Sequence, residues 1–449
     1  MAKLRPRRAQ GIPLSLPPSV EALLDGESDA LLRALALERP VSIRFNPWKP
    51  FGPTGARVPW CEQGRYLAER PVFTLDPLLH AGTYYVQEAS SMLLEQALKV
   101  TGLGDQAILA LDMCAAPGGK STHLVSLLNS GSLLVCNEVV PARRDTLSEN
   151  LWKQGFSNTL IAGSEPAAFG DLGERFDLVL VDAPCSGEGM FRKDAFARQQ
   201  WNEKLVASCA RTQRDILRHA WATVRPGGWL VYSTCTWERS ENEEQVHDLI
   251  RQGAIYTPIP MADEWGIVET DAGYRCYPHR VKGEGFFISL LRKPGTSAPH
   301  VWFPRPGRIP TEVTGWLTPS AMVDVVEYRD LLFASPAPWS VTIGALQSTL
   351  HLASPGVPIA ERKGDTWRPH PALALNRFLD QSAFPDVALN LEQALSYLRG
   401  ETALSLGSNG KDGTGVRLMR YAGLPLGWMH AAGDRWNNGW PKAWRIRMR

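Results

Sequence analysis

The pattern of hydrophobic and polar residues is most regular between residues 107 and 291. There, short apolar runs typical of buried strands alternate with segments whose apolar residues recur at helical spacing. The pattern predicts strands at 107–113, 133–137, 159–162, 176–181, 229–233 and 285–291, and helices at 122–128, 143–153, 205–224 and 241–251. Because strands joined through helices form parallel crossovers, we expect an α/β fold with a mainly parallel sheet and helices on both faces.

The flanking segments have different patterns. Residues 12–40 are rich in leucine and alanine and precede a short alternating strand at 41–46, which indicates a small α+β domain. Residues 294–320 are rich in proline, and the runs from 321 to 370 indicate strands without a recognisable chemistry. Beyond a helix at 391–398, short runs with glycine-rich turns indicate a small β-rich module. We therefore expect four units, at 1–81, 82–293, 294–370 and 371–449.

The composition is that of a globular protein and excludes few functions. The chain has 449 residues, of which 44% are hydrophobic, and its net charge of +2 gives no global argument for nucleic acid. Basic residues do cluster near the two ends, at Lys3, Arg5, Arg7 and Arg8 and at Arg445, Arg447 and Arg449, where they could meet phosphate. Seven cysteines without a CxxC pair, and no signal peptide or bilayer-length apolar run, predict a cytoplasmic protein without a metal or a membrane anchor.

A glycine-containing turn follows the first strand of the regular part. Asp112 ends that strand, and the next strand ends at Glu138. Glycines allow close approach of the backbone to a ligand, and a carboxylate after the second strand can accept the hydroxyls of a ribose. The pattern is neither GxGxxG nor a phosphate-binding loop, and it favours an adenosine-type site over an ordinary turn. The residues of the turn are Cys114, Ala115, Ala116, Pro117, Gly118, Gly119 and Lys120.

Two cysteines follow strands that we expect to be neighbours in the sheet. Cys185 comes three residues after Asp182, and Cys235 comes two residues after the end of the strand at 229–233. A thiol attacks only as thiolate, and a carboxylate beside it opposes ionisation, so Asp182 is better suited to bind a substrate than to activate Cys185. A carboxyl group can hydrogen-bond the pairing edge of cytosine and make C6 electrophilic. The residues alone leave open which cysteine attacks and which substrate is used.

Three motifs resemble the signature set of the Sun-type RNA cytosine-5 methyltransferases. They lie at 114–120, 182–187 and 233–236, and the pair Pro184-Cys185 and Thr234-Cys235 at this spacing is highly specific. The runs at 187–194, 277–280 and 283–287 resemble the bacterial RsmF-like branch, which modifies cytosine in small-subunit ribosomal RNA. The tail, at 425–428 and 437–442, is similar to the PUA-like RNA-binding module of that branch.

The resemblance implies a Rossmann-like class I methyltransferase core, an N-terminal RNA-binding domain at 1–81 and a PUA-like module at 371–449. It implies that Cys235 is the nucleophile, that Cys185 promotes product release and that Asp182 activates the base. S-adenosylmethionine would be the cofactor, and Lys120 would also help hold the base. Many relatives have an acid after the third strand where this chain has Ser164 and Glu165, so one of these two residues is the expected substitute. The residues expected to bind the cofactor are Cys114, Ala115, Ala116, Pro117, Gly118, Gly119, Lys120, Glu138, Ser164 and Asp182.

The expected partner is small-subunit ribosomal RNA or the assembling subunit, and the expected state is a monomer. One alternative is an RNA-binding assembly factor that keeps the fold without turnover, although such a protein needs neither the two cysteines nor Asp182. Another is a methyltransferase acting on a different RNA such as tRNA, or on a small molecule or protein. The basic, tryptophan-containing terminal module disfavours the last two substrates.

Overall fold

The computed structural model describes residues 15–193, 195–298, 307–401, 415–432 and 435–448, so the N-terminal basic cluster from Lys3 to Arg8 lies outside the described residues. The N-terminal part forms a four-stranded sheet in the order β2-β3-β1-β4. The strand β4 lies after residue 81, where the sequence predicts the end of the N-terminal domain, and it nevertheless pairs with β1 of that domain. The elements are α1 (Pro18–Glu21), α2 (Ser28–Ala36), β1 (Val41–Phe45), β2 (Ala56–Val58), β3 (Cys61–Leu67), α3 (Pro77–His80) and β4 (Tyr84–Tyr85).

The central part alternates strands and helices, as the hydrophobic pattern predicts. Its first half contains α4 (Leu94–Thr101), β5 (Leu109–Asp112), α5 (Gly119–Leu127), β6 (Leu133–Asn137), α6 (Pro141–Gln154), β7 (Thr159–Ala162), α7 (Pro166–Gly170) and β8 (Phe176–Asp182). Its second half contains α8 (Ala195–Gln200), α9 (Glu203–Thr223), β9 (Val224–Thr234), α10 (Glu243–Arg251), β10 (Ile255–Tyr256), β11 (Val268–Glu269), β12 (Tyr274–Cys276) and β13 (Phe286–Arg292).

The central sheet has a parallel middle and antiparallel edges. Its order is β11-β12-β13-β9-β8-β5-β6-β7-β16, and the five strands from β9 to β7 are mutually parallel. Here β16 (Leu352–Ser354) is a later strand that pairs antiparallel with β7. Chain order reverses between β5 and β8, and open α/β sheets bind ligands at the carboxyl ends of the strands at such a switch point. The fold therefore places the ends of β5, β8 and β9 at the expected site.

Alternating residues of the parallel strands face two separate cores. Ala110 and Leu134 pack with Leu124 and Leu147 of α5 and α6 on one face. Leu109, Leu111 and Val135 pack on the opposite face, against a set from α7, α9 and α10 that includes Phe169, Ile216, Leu217 and Val246. Burial on both faces explains why these strands have continuous apolar sequences. The prediction of an α/β fold with helices on both faces is confirmed.

One strand is longer than its hydrophobic pattern predicts. The prediction begins at Trp229 because Pro226, Gly227 and Gly228 are typical of a turn, whereas β9 already begins at Val224. Val224 is the pairing partner of Phe176 in β8, and a register shift follows before the regular pairing of Leu178 with Trp229. The irregularity accommodates the proline and glycines inside the strand.

The C-terminal third forms two further four-stranded sheets, in the orders β14-β15-β17-β18 and β19-β20-β21-β22. Within the segment predicted as a linker and small domain, Trp339 donates a 2.6 Å hydrogen bond to the carbonyl of Gly131, so this segment packs on the central fold. The elements are α11 (Thr311–Thr314), β14 (Val323–Tyr328), β15 (Leu331–Pro336), α12 (Ser340–Gln347), β16, β17 (Val357–Lys363), β18 (Thr366–Pro369), α13 (Pro371–Leu375), β19 (Asp386–Leu389), α14 (Leu391–Arg399), β20 (Val416–Tyr421), β21 (Leu424–Ala432) and β22 (Arg435–Asn438).

Among the described residues, no helix is both long enough and apolar enough to cross a membrane.

Candidate active site

The two motif cysteines meet at the carboxyl edge of the sheet. β8 and β9 are parallel neighbours in which Asp182 pairs with Ser233, so the segments that follow them leave the sheet side by side. The Sγ atoms of Cys185 and Cys235 are 3.2 Å apart, and both cysteines are free. The backbone N–H of Cys235 also donates to Sγ of Cys185 at 3.3 Å. The predicted adjacency of these two strands is confirmed.

The surroundings of Cys185 favour its protonated thiol. The hydrogen bond with Cys235 raises the pKa of Cys185 well above its ordinary value, and burial adds to this effect. Either sulfur can donate to the other in this pair. The contact between the two thiols is a feature that the sequence alone does not show.

An ion pair lies beside the cysteines. Nζ of Lys120, at the start of α5, is 2.8 Å from Oδ2 of Asp182, and the hydroxyl of Ser233 donates to Oδ1 at 2.8 Å. Burial opposes the charge of Lys120, but the attraction and hydrogen bond of Asp182 outweigh it, so the pKa of Lys120 is raised. The ammonium group also lies 5.1 Å from the ring centroid of Phe286. Asp182 is thus held in a fixed orientation by two donors.

The turn after β5 forms a compact wall. Gly118 has φ of +108°, and a Cβ atom there would lie 3.3 Å from Leu147, so both the backbone and the space favour glycine. Oδ2 of Asp112 accepts a 2.7 Å hydrogen bond from the hydroxyl of Ser121, whereas Oδ1 is buried without a partner. Burial raises the pKa of Asp112 to about 7. The unpaired oxygen is an acceptor that a ligand can satisfy.

Glu138 lies at the end of β6, as the sequence predicts, and is almost fully buried. Its Oε1 accepts from the N–H of Val140 at 2.9 Å, and its Oε2 is 3.0 Å from the guanidinium of Arg143. Arg143 also donates to the carbonyl of Ala116 at 3.0 Å and so connects Glu138 to the glycine turn. Each carboxylate oxygen has a second lone pair with which it can accept a ligand hydroxyl.

Ser164 follows β7, and the structure gives its hydroxyl a partner from a distant part of the chain. The N–H of His351, which precedes β16, donates to Oγ of Ser164 at 2.9 Å. The backbone of Ser164 is fixed by Asn137, whose Oδ1 accepts the N–H at 3.0 Å. The side chain is buried and does not line the cleft described next. A cofactor-binding role for Ser164 stays a prediction.

A cleft of about 300 Å³ joins the glycine turn, the ion pair and Cys235. This volume is at the lower end of the range for small-molecule sites. The turn residues that line it are Cys114, Ala115, Ala116, Pro117, Gly119 and Lys120, whereas Asp112, Gly118 and Glu138 do not line it. The buried, unpaired oxygen of Asp112 is the feature of this region that fits an adenosyl-type ligand. The lining residues that the sequence did not single out for this site include Tyr85, Gln87, Met190, Lys193 and Phe286.

Sequence reasoning also missed a buried polar network behind the cysteines. Ser186 lies between two carboxylates, Glu188 and Glu241, and its hydroxyl contacts both. Thr236, the residue after Cys235, donates to Glu188. Acidic residues just after two sheet-edge strands are the signal that could have identified this group.

One buried group has the side chains of a metal site. Within the described part of the chain, Cys61, Glu95 and His123 place one ligand atom each within 4.8 Å of one another. Lys99 forms a 2.9 Å ion pair with Glu95, however, and Arg44 donates at 2.8 Å to Thr122, the neighbour of His123. Two cations beside the group make it better suited to internal hydrogen bonding than to a metal ion.

The central sheet and the cleft at its carboxyl edge have the architecture of a Rossmann-like methyltransferase. The structure of "Methyltransferase Homolog Protein from Pyrococcus Horikoshii" has a TM-score of 0.52 and 26% identity, covering 62% of this chain and 100% of that chain. "NSun6 from Pyrococcus horikoshii with SFG" has a TM-score of 0.52 and 21% identity, covering 62% of this chain and 98% of that chain. The latter likeness supports the fold alone.

Three family profiles match successive parts of the chain. They describe the N-terminal domain of 16S rRNA methyltransferase RsmF (residues 13–89), 16S rRNA methyltransferase RsmB/F (103–292) and the methyltransferase RsmF PUA domain (384–446). Ribosomal RNA small subunit methyltransferase F of Aeromonas salmonicida is 32% identical over 92% of this chain and 90% of its own length. The protein of that name from Vibrio cholerae is 30% identical over 86% and 84%.

The chain therefore belongs to the family of ribosomal RNA small subunit methyltransferase F. It is an RNA methyltransferase, and its cofactor is S-adenosylmethionine. The expected Rossmann-like core with a C-terminal PUA-like module is confirmed.

Proposed function

We propose that this enzyme methylates C5 of cytosine in small-subunit ribosomal RNA, with Cys235 as the covalent nucleophile. The observation that carries the proposal is the pair of thiols 3.2 Å apart, beside the ion pair of Asp182 and Lys120. A methyltransferase that acts on an already nucleophilic atom needs no such pair. C5 of cytosine does need it, because the ring must first be activated by addition and later released.

The raised pKa of Cys185 supports the assignment of roles. The Cys235 thiolate adds to C6, and the electron pair of the C5–C6 double bond makes C5 nucleophilic. S-adenosylmethionine supplies the electrophilic methyl group. As the bond from Sγ of Cys235 to C6 breaks, the thiol of Cys185 gives its proton to that sulfur, and the resulting Cys185 thiolate takes the C5 proton, which restores the C5–C6 double bond. Cys185, whose raised pKa keeps it protonated beside Sγ of Cys235, is placed to assist this departure.

Asp182 and Lys120 support binding of the target base. Their side chains line the same cleft as Cys235. The oxygen lone pairs of Asp182 that Ser233 and Lys120 do not use can accept from the exocyclic amine of cytosine and from N3 once N3 is protonated, and protonation of N3 makes C6 more electrophilic. The target base must be unpaired or flipped out of its helix to reach the cleft, which favours loops and junctions of the RNA.

The residues that would hold the cofactor are those of the turn at 114–120, with Asp112 and Glu138 beside it. The PUA-like module and the N-terminal domain would supply contacts to the RNA backbone. Their relatives are named as ribosomal RNA enzymes, which favours ribosomal RNA over tRNA as the substrate. A cytoplasmic location is part of the same proposal.

The direct test is transfer of labelled methyl groups to purified small-subunit RNA, tRNA and protein, followed by bisulfite sequencing of the labelled RNA. We expect 5-methylcytosine in small-subunit RNA only. Cys235→Ala should abolish transfer while donor binding stays within a few-fold. Cys209→Ala is the matched control, because Cys209 lies on α9 outside the lining of the cleft. Label in tRNA alone, methylation at another atom, or full activity of Cys235→Ala would overturn the proposal. Absence of transfer to every acceptor would instead favour an assembly factor without turnover.

A further inference from the structure

Two buried acids, Glu188 and Glu241, contact the segments that carry the two cysteines. Glu188 follows the segment of Cys185, and Glu241 ends the short helical turn that precedes α10. Both side chains are completely buried. Neither is in contact with a lysine or arginine among the interactions of the described residues, although buried carboxylates are normally paired with a cation. Another source of stabilisation is therefore required.

Glu241 holds the segment that carries Cys185. Its Oε2 accepts from the N–H of Ser186 at 3.0 Å and from Nε2 of Gln213 at 2.7 Å. The same amide of Gln213 donates to the carbonyl of Pro184 at 2.9 Å. The residues on both sides of Cys185 are thereby fixed to Glu241 and to helix α9.

Glu188 holds the segment that carries Cys235. Its Oε2 accepts from the hydroxyl of Thr236, and its Oε1 accepts from Nε1 of Trp201. The N–H of Gly189 donates to the carbonyl of Cys235 at 2.9 Å, which brings the backbone after Glu188 against the same segment. Each cysteine segment thus has its own carboxylate.

The hydroxyl of Ser186 connects the two carboxylates. Its Oγ is in hydrogen-bond contact with Oε1 of Glu241 and lies 2.9 Å from Oε1 of Glu188. A serine hydroxyl has one proton, and the proton of Thr236 is used by Glu188. The remaining contact with Ser186 therefore needs a proton on a carboxyl group. Oε1 of Glu188 already accepts from Trp201, whereas both donors to Glu241 go to Oε2 and leave its Oε1 to Ser186. The consistent arrangement is therefore Glu241 donating to Ser186 and Ser186 donating to Glu188.

We propose that Glu188 and Glu241 share one proton through Ser186 and that this chain is the positioning device that sets the spacing of Cys185 and Cys235. The inference rests on the proposed function for its catalytic consequence. Neither acid lines the cleft, so both are positioning residues that act through the cysteine segments.

The surroundings of Glu241 agree with this placement of the proton. Burial raises the pKa of Glu241 to about 7, and the nearby charge of Glu188 adds to the effect. The titratable groups that face it are Glu188 and Cys185 from the loop after β8, Cys209 from α9 and Tyr232 from β9. None of them is a cation. Because the folded-state pKa is above the ordinary value of 4.5, the free energy of unfolding decreases as the pH rises from that value through 7.

The test compares Glu241→Gln with Glu188→Gln in the full chain. An amide at position 241 can donate to Ser186 and accept from Gln213, as the protonated acid does. An amide at position 188 would turn its NH2 group toward Trp201 or Thr236, which both donate hydrogen bonds to the carboxylate of Glu188. We measure single-turnover methyl transfer, donor affinity, and the free energy of unfolding at pH 5, 6, 7 and 8. Glu244→Gln, an exposed position on α10, is the matched control and should behave as wild type throughout.

We expect Glu188→Gln to slow methyl transfer at least tenfold more than Glu241→Gln, with donor affinity within threefold of wild type in both. The decrease in unfolding free energy between pH 5 and pH 7 should be larger in wild type and in Glu244→Gln than in Glu241→Gln, in which Asp112 still contributes to it. Equal losses in the two variants, or the same pH dependence in Glu241→Gln and wild type, would overturn the inference. If the wild type produces no 5-methylcytosine, the proposed function fails, and the pH dependence of stability still decides whether the proton is shared.

Discussion

The proposed role of Asp182 can be tested by replacing it with asparagine, which keeps the shape of the side chain and removes its charge. In the structure the carboxylate receives one hydrogen bond from Lys120 and one from Ser233, both at 2.8 Å. The substitution would leave the ammonium of Lys120 without its ion-pair partner. It would also replace an acceptor by an NH2 group at one of the two oxygen positions. The pKa of Lys120 should fall, because the attraction of Asp182 is what raises it.

The size of the effect follows from the number and type of the lost contacts. A hydrogen bond to a charged group contributes roughly 1.5–3 kcal/mol. If one such bond to the base is lost in the transition state, the rate should fall roughly 10- to 150-fold. Ser233→Ala is the matched comparison, since it removes a donor that orients Asp182 and leaves the charge in place. Its expected loss is about 0.5–1 kcal/mol, or roughly two- to fivefold.

The assay is single-turnover methyl transfer to small-subunit RNA at saturating donor, with donor affinity measured separately by calorimetry. We expect the rate to decrease in the order wild type, Ser233→Ala, Asp182→Asn, with the wild type fastest. A rate for Asp182→Asn within threefold of wild type would refute a role in activating the base. If the loss appeared only in donor affinity, Asp182 would belong to the cofactor site alone.

Three further predictions concern the donor side of the cleft. Gly118→Ala should weaken donor binding and cost about 1–2 kcal/mol of stability, because φ is +108° and an added Cβ would approach Leu147. Titration with the donor and urea unfolding measure the two effects. Unchanged values in both would contradict the strain. Glu138→Ala should raise the KM for the donor at least tenfold with a smaller change in kcat, whereas an equal KM would remove Glu138 from the cofactor site. Asp112 has a folded-state pKa of about 7 against an ordinary 3.8, so its contribution to the unfolding free energy falls by up to about 4 kcal/mol between those pH values. Asp112→Asn should remove this part of the pH dependence and leave the part that Glu241 contributes, and an unchanged pH profile of stability would contradict the assignment.

Much of the central fold could be predicted from the sequence, because its strands are buried on both faces. The strands at 133–137 and 159–162 have the predicted bounds. Continuous apolar runs between helical segments leave few alternatives to a parallel sheet. The placement of Asp182 and Cys235 at one sheet edge follows from that topology, and no local sequence pattern predicts it.

Contacts between distant segments could not be predicted. β16 joins the central sheet beside β7 although it lies almost two hundred residues later in the chain. The N–H of His351, just before β16, donates a hydrogen bond to the hydroxyl of Ser164. Glu188 and Glu241 read separately as polar residues of a loop and of a helix start. Their shared contact with Ser186 arises only because β8 and β9 are neighbours. The spacing of residues along the chain does not show which distant segments are in contact.

The measurement that tests the central claim most directly is the trapping of a covalent adduct between protein and RNA. Cys185→Ala and Cys235→Ala would each be incubated with small-subunit RNA and S-adenosylmethionine and then run on a denaturing gel. If Cys235 attacks C6 and Cys185 assists its departure, Cys185→Ala should accumulate an adduct that survives denaturation, and Cys235→Ala should form none. An adduct with Cys235→Ala and none with Cys185→Ala would reverse the two roles. The absence of an adduct with both variants, while the wild type methylates cytosine, would contradict the covalent mechanism.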